Sequence, residues 1–81
     1  MTRVPRDLSG EALVRVLRRQ GYQVTRQTGS HVRLTTEIGG QHHVSIPRHR
    51  TLRVGTLYAI VASVAEHQKV SPDELLDRLF Q

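Results

Sequence analysis

The chain has 81 residues, no cysteine and a formal charge of +5. That length admits one domain and excludes a large buried core, since so small a chain hides only about two-thirds of its unfolded surface. The missing cysteines exclude disulfides and thiolate metal sites. No apolar run approaches the ~20 residues of a membrane span or follows a basic start as in a signal peptide, so a cytoplasmic setting is expected. The charge is uneven. Residues 1–53 set ten arginines against Asp7, Glu11 and Glu37, a balance of +7, while residues 54–81 carry −2. Eleven of the twelve cations are arginine, whose planar fork suits bidentate contact with phosphate, which points to an anionic polymer as partner.

In chain order, residues 8–20 are expected to form the first helix. Ser9 is its cap, Leu8 and Leu13 close a hydrophobic staple, and Ala12, Leu13, Val16 and Leu17 make the apolar stripe. Arg15, Arg18 and Arg19 lie off the stripe, and Gly21 supplies the left-handed stop. From Tyr22 the period changes to two. Tyr22 and Val24 alternate with Gln23 and Thr25 in a first strand that turns at Thr28-Gly29-Ser30. In the second strand Val32 and Leu34 share one face, and His31, Arg33 and Thr35 the other. Keeping the apolar residues together predicts Tyr22 opposite Leu34, Val24 opposite Val32, Thr25 across from His31 and Gln23 across from Arg33.

Gly39 and Gly40 mark the next turn, predicted to be a loop of three or five residues with glycine at positive φ. His42, Val44 and Ile46 then alternate with His43 and Ser45 in a third strand ending at Pro47. Arg48, His49, Arg50 and Arg53 fill a basic connector. It leads to a helix starting near Val54-Gly55-Thr56, with Leu57, Ile60, Val61 and Val64 on its core face. Amide groups at that helix start, with the arginines just before them, are a candidate phosphate site. A last helix is signalled by Ser71 as cap, Pro72 at the first position and Glu74 closing a capping box.

These elements predict an α+β fold, a two-layer α-β-β-β-α arrangement with a three-stranded antiparallel sheet, plus a short C-terminal helix. Its order is that of a double-stranded-RNA-binding domain. One domain is expected over 1–81, with 1–7 a flexible N-terminus, 8–66 the core and 67–81 a C-terminal helical extension. The second strand holds an imidazole beside a guanidinium on a polar face. The first can exchange a proton near neutral pH and the second is a permanent cation. The pair suits RNA cleavage, although a histidine on a polar strand face can equally be a solvated residue. Three functions are therefore open: an RNA-cleaving enzyme, a non-catalytic RNA-binding module and a metal-dependent hydrolase. The last lacks support, because His31, His42, His43 and His49 have no carboxylate or cysteine at a recognised ligand spacing, and His42 and His43 point to opposite strand faces.

Gly29-Ser30-His31, Val44-Ser45-Ile46-Pro47-Arg48-His49 and Leu52-Arg53-Val54-Gly55-Thr56-Leu57 resemble, in order and spacing, three signatures of the HicA family of mRNA-interferase toxins. The likeness spans about residues 8–65; the segment after Ala65 lies beyond it. What it implies is a type II toxin–antitoxin system, a fold like a double-stranded-RNA-binding domain, and metal-independent cleavage of mRNA by one histidine, corresponding to His31. Gly29 and Ser30 would support that histidine. Arg33, Arg48, His49, Arg50 and Arg53 are the residues expected to bind RNA. No cofactor or metal is implied. The implied partners are mRNA and a HicB-like antitoxin covering the His31 face, with no membrane.

Overall fold

The computed structural model describes residues 5–80, so residues 1–4 of the expected flexible terminus lie outside the described residues. The elements run α1 (Gly10–Arg19), β1 (Gln23–Gln27), β2 (His31–Thr36), β3 (His42–Pro47), α2 (Val54–Gln68) and α3 (Pro72–Phe80). The fold is α+β, with the three strands in one antiparallel sheet of order β1-β2-β3.

Local signals set the ends of α1. Ser9 Oγ accepts from the Ala12 amide at 3.0 Å, a cap of the kind worth about 1 kcal/mol. At the other end Gly21 takes φ +100, and the amides of Gly21 and Tyr22 bond back to the carbonyls of Arg18 and Leu17. That pairing satisfies two orphan carbonyls and turns the chain straight into the sheet. Leu13 and Leu17 are fully buried, while Ala12 and Val16 are half-buried.

The β2–β3 hairpin follows the predicted alternation. Its loop is residues 37–41, five long, with Gly39 at φ +73 and Gly40 at φ +101. Val32 pairs with Ile46 and Leu34 with Val44 on the core face, leaving His31 opposite Pro47, Arg33 opposite Ser45 and Thr35 opposite His43 on the other.

The β1–β2 hairpin departs from expectation. Gln23 pairs with Thr35 and Val24 with Leu34, after which the register slips so that Arg26 faces Arg33 and Gln27 faces Val32. Thr25 is the extra residue of a β-bulge, so it does not face His31, and Tyr22 precedes the strand. Val24 is 41% exposed, not buried. The cause is the placement of the helices: α1 and α2 pack on β3, at the other edge, and leave all five β1 residues exposed. A strand without a covered face has no burial energy to hold strict alternation, and a bulge is tolerated there.

α2 buries Leu57, Ile60, Val61, Val64 and Ala65, on the predicted stripe. In α3, Ser71 Oγ accepts from the Glu74 amide at 3.1 Å. The reciprocal half of the capping box is replaced, because the Glu74 carboxylate binds Arg78 one turn on, at 2.8 Å. Leu75, Leu76 and Leu79 are buried in the same core cluster as the sheet, and α3 packs on α2 and α1.

Candidate functional site

The helices cover one side of β2 and β3 and leave the other open. On the open side the side chains stand in rows across the strands. Thr28 and His31 form one row, the Thr28 amide donating to the His31 carbonyl at 2.9 Å. Arg26, Arg33 and Ser45 form the next, through the register pairs Arg26–Arg33 and Arg33–Ser45. These five residues line a single open groove.

His31 is exposed, and its Nδ1 lies 3.0 Å from the hydroxyl of Ser30. With Nδ1–H donating to Ser30, the Nε2 lone pair is left for solvent or a ligand. Ser30 is itself anchored, since its carbonyl accepts from the Arg48 amide at 2.8 Å. Gly29 has nothing within 4 Å of where a Cβ would stand, and its φ is not in the left-handed region.

Of the basic residues expected to bind RNA, only Arg33 lines this groove. Arg48 turns its guanidinium towards Glu11 of α1, 3.5 Å away. His49, Arg50 and Arg53 are exposed on the connector. The connector nevertheless abuts the site, because Pro47 is the strand partner of His31 and the His49 carbonyl accepts from the Gly10 amide at 3.0 Å. At the start of α2, Arg53 makes no side-chain cap. Arg15, Arg18 and Arg19 line a separate groove on α1.

Three groove residues, Arg26, Thr28 and Ser45, were not among the expected site residues, and Arg26 is the charged one. Under unbroken alternation it would share the face that Tyr22 and Val24 were expected to bury, which is unfavourable for an unpaired arginine. That conflict was the available signal that the parity breaks between Val24 and Arg26.

The other histidines do different work. His43 sits in the third row, roughly 13 Å along the strand from the His31 row at the usual rise per residue. Its Nδ1 is 2.7 Å from Thr35 Oγ1, which is 2.8 Å from Thr25 Oγ1, which in turn donates to the Arg33 carbonyl. One proton assignment satisfies the whole chain, running from His43 Nδ1–H through both hydroxyls to that carbonyl. His42 lies on the opposite face at the far end of β3. Its Nδ1 meets the Tyr22 hydroxyl at 2.7 Å, its Nε2 meets Ser63 Oγ at 3.1 Å, and its ring stacks on His67 at 4.6 Å. Burial lowers its pKa from the ordinary 6.5, and His67 and His43 act in the same direction. Burial also pushes the Tyr22 phenol up to about 12. Among the described residues no three His, Asp or Glu side chains converge to hold a metal, and no helix is long and apolar enough to cross a membrane.

The site is thus an exposed histidine and two arginines on an uncovered sheet face of a small basic α+β domain. The family comparison is more specific: the sequence model of the HicA toxin of bacterial toxin–antitoxin systems matches residues 10–66, more than half of the chain, and the chain belongs to that family. Neither a curated protein nor a solved structure matches the chain closely enough to count as a relative.

Proposed function

We propose that this chain, acting in the cytoplasm as one domain, is the toxin of a type II toxin–antitoxin system and cleaves mRNA as a metal-independent endoribonuclease, with His31 as its general acid/base. The observation that carries the reading is the exposed His31 imidazole, steadied by Ser30 and flanked by Arg33 in one groove. Family membership gives the toxin role; the chemistry is argued from these side chains.

An RNase that needs no metal can use the RNA's own 2′-hydroxyl as nucleophile, with a side chain as its base. His31 Nε2 takes the proton of that hydroxyl while Ser30 holds Nδ1–H. The 2′-oxygen then attacks the adjacent phosphorus, and the bond to the departing 5′-oxygen breaks. That oxygen receives a proton from the protonated imidazole or from water, leaving a 2′,3′-cyclic phosphate and a free 5′-hydroxyl. Arg33 stabilises the charge that gathers on the phosphorane oxygens. Arg48, His49, Arg50 and Arg53 contact the RNA backbone beside the cut. A HicB-like antitoxin completes the system by covering the His31 face.

The test is the chemistry of the products. Purified protein in excess chelator should cut a defined mRNA and leave cyclic phosphate ends, and a single 2′-deoxy nucleotide at the cut position should block cleavage there. Binding without cleavage would make the chain a non-catalytic RNA-binding module, and cleavage that chelator stops would replace the mechanism with a metal-dependent one.

A further inference from the structure

The β1 bulge sets two arginines face to face. Arg26 and Arg33 are register partners on neighbouring antiparallel strands, both exposed, and both line the groove that holds His31. Like charges directly opposite in such a pair are destabilising. Among the described residues no carboxylate relieves them, since the ion pairs there join Arg48 to Glu11 and Arg78 to Glu74. The bulge is also fastened in place, because the hydroxyl of the extra residue, Thr25, reaches across to Thr35 Oγ1 at 2.8 Å and to the Arg33 carbonyl at 3.4 Å. Without the extra residue, Arg26 would fall on the other face. Bulges commonly re-aim a side chain beside a functional site.

We propose that Arg26 and Arg33 form a clamp for one backbone phosphate of the RNA, and that the Thr25 bulge exists to build it. The proposal rests on the reading of the groove as an RNA-cleaving site. The two-arginine row stands one face-step along β2 from His31, roughly 7 Å at the usual rise per residue and comparable with the spacing of successive phosphates in a single strand. The clamp therefore holds the phosphate next to the one being cut. Arg26 is a positioning residue, and its contact is the same in ground and transition states. Its loss raises KM and leaves kcat nearly unchanged.

The experiment compares wild type, Arg26→Ala and Arg26→Lys on a short fluorescent RNA made uncuttable by 2′-O-methylation, titrated over a range of salt. Arg26→Ala should bind roughly tenfold more weakly, as expected for one lost charge-assisted contact. Its plot of log affinity against log salt should be shallower by ~0.7, one single-strand phosphate contact. Arg26→Lys should restore the slope but only part of the affinity, because the charge returns without the fork. Free of RNA, Arg26→Ala should melt at or above the wild-type temperature, since it loses only a repulsion. Affinity and slope equal to wild type overturn the clamp, as does a lowered melting temperature. The wider reading fails separately: His31→Ala that still cuts RNA removes the active-site assignment, whereas the uncuttable RNA tests the clamp on its own.

Discussion

Gly10 should tolerate no side chain. It opens α1 against the end of β3, and a Cβ there would run into the Pro47 carbonyl oxygen, with Pro47 C at 3.1 Å and Arg48 Cα at 3.3 Å. All three atoms are backbone, so nothing can rotate aside; α1 or the connector must move. Overpacking of this kind costs about 1–3 kcal/mol. Displacement also stretches the 3.0 Å bond from the Gly10 amide to the His49 carbonyl, worth ~1 kcal/mol. Against this stands the helix preference of alanine over glycine, at most ~1 kcal/mol and smaller at a helix end. Gly10→Ala should therefore lose about 2 kcal/mol, which lowers the melting temperature of a domain this size by roughly 10 °C. The strain falls on the connector whose Arg48 amide holds the Ser30 carbonyl behind His31, so RNA cleavage should drop even at temperatures where the variant is folded. Thermal melts and cleavage assays at low temperature read both effects. An unchanged or raised melting temperature would refute the packing argument.

His42 has a lowered pKa in the fold, so the unfolded chain binds its proton more readily. Stability should be fully present above pH 6.5 and fall as the pH drops through the folded value; with Tyr22, Ser63, His67, His43 and Glu66 around the ring, His42→Gln should flatten the decline. An identical pH profile in the variant would remove His42 as its source. Leu76→Ala should cost about 2–5 kcal/mol, read by urea unfolding, because Leu76 is buried in the shared core; a cost below 1 kcal/mol would mean that α3 is dispensable. Co-expression with a HicB-like antitoxin should restore growth and shield His31 from diethyl pyrocarbonate, the +7 charge of residues 1–53 steering an acidic partner onto the face proposed to bind RNA. A complex that leaves His31 reactive and cleavage unimpaired would exclude steric masking.

Legibility in the sequence followed burial. α1, the β2–β3 hairpin and α2 bury one face each, so their period and register, and the caps of α1, could be read from apolar spacing, Ser9 and glycine placement. β1 is an uncovered edge, and there Tyr22 and Val24 suggested an alternation that the fold does not keep. The resulting error was local but costly, since it hid Arg26, the groove cation whose face depends on the bulge. His31, Ser30 and Arg33 were legible because the well-patterned β2 carries or adjoins them. Arg48 was only half legible: its charge pointed to phosphate, yet the guanidinium turns to Glu11 and the backbone amide braces Ser30. The fate of the last helix was open in the sequence, because leucines at helical spacing look the same whether they meet a partner or their own core.

The central claim is that one exposed imidazole performs the chemistry, and His31→Ala tests it most directly. Wild type and variant, purified side by side, would be given the same end-labelled mRNA in excess chelator while their melting curves are recorded. His31 lies on the surface and contributes little packing, so the variant should melt within ~0.5 kcal/mol of wild type and yet cut no RNA. Cleavage by the variant at the wild-type rate, with its fold intact, would contradict the account.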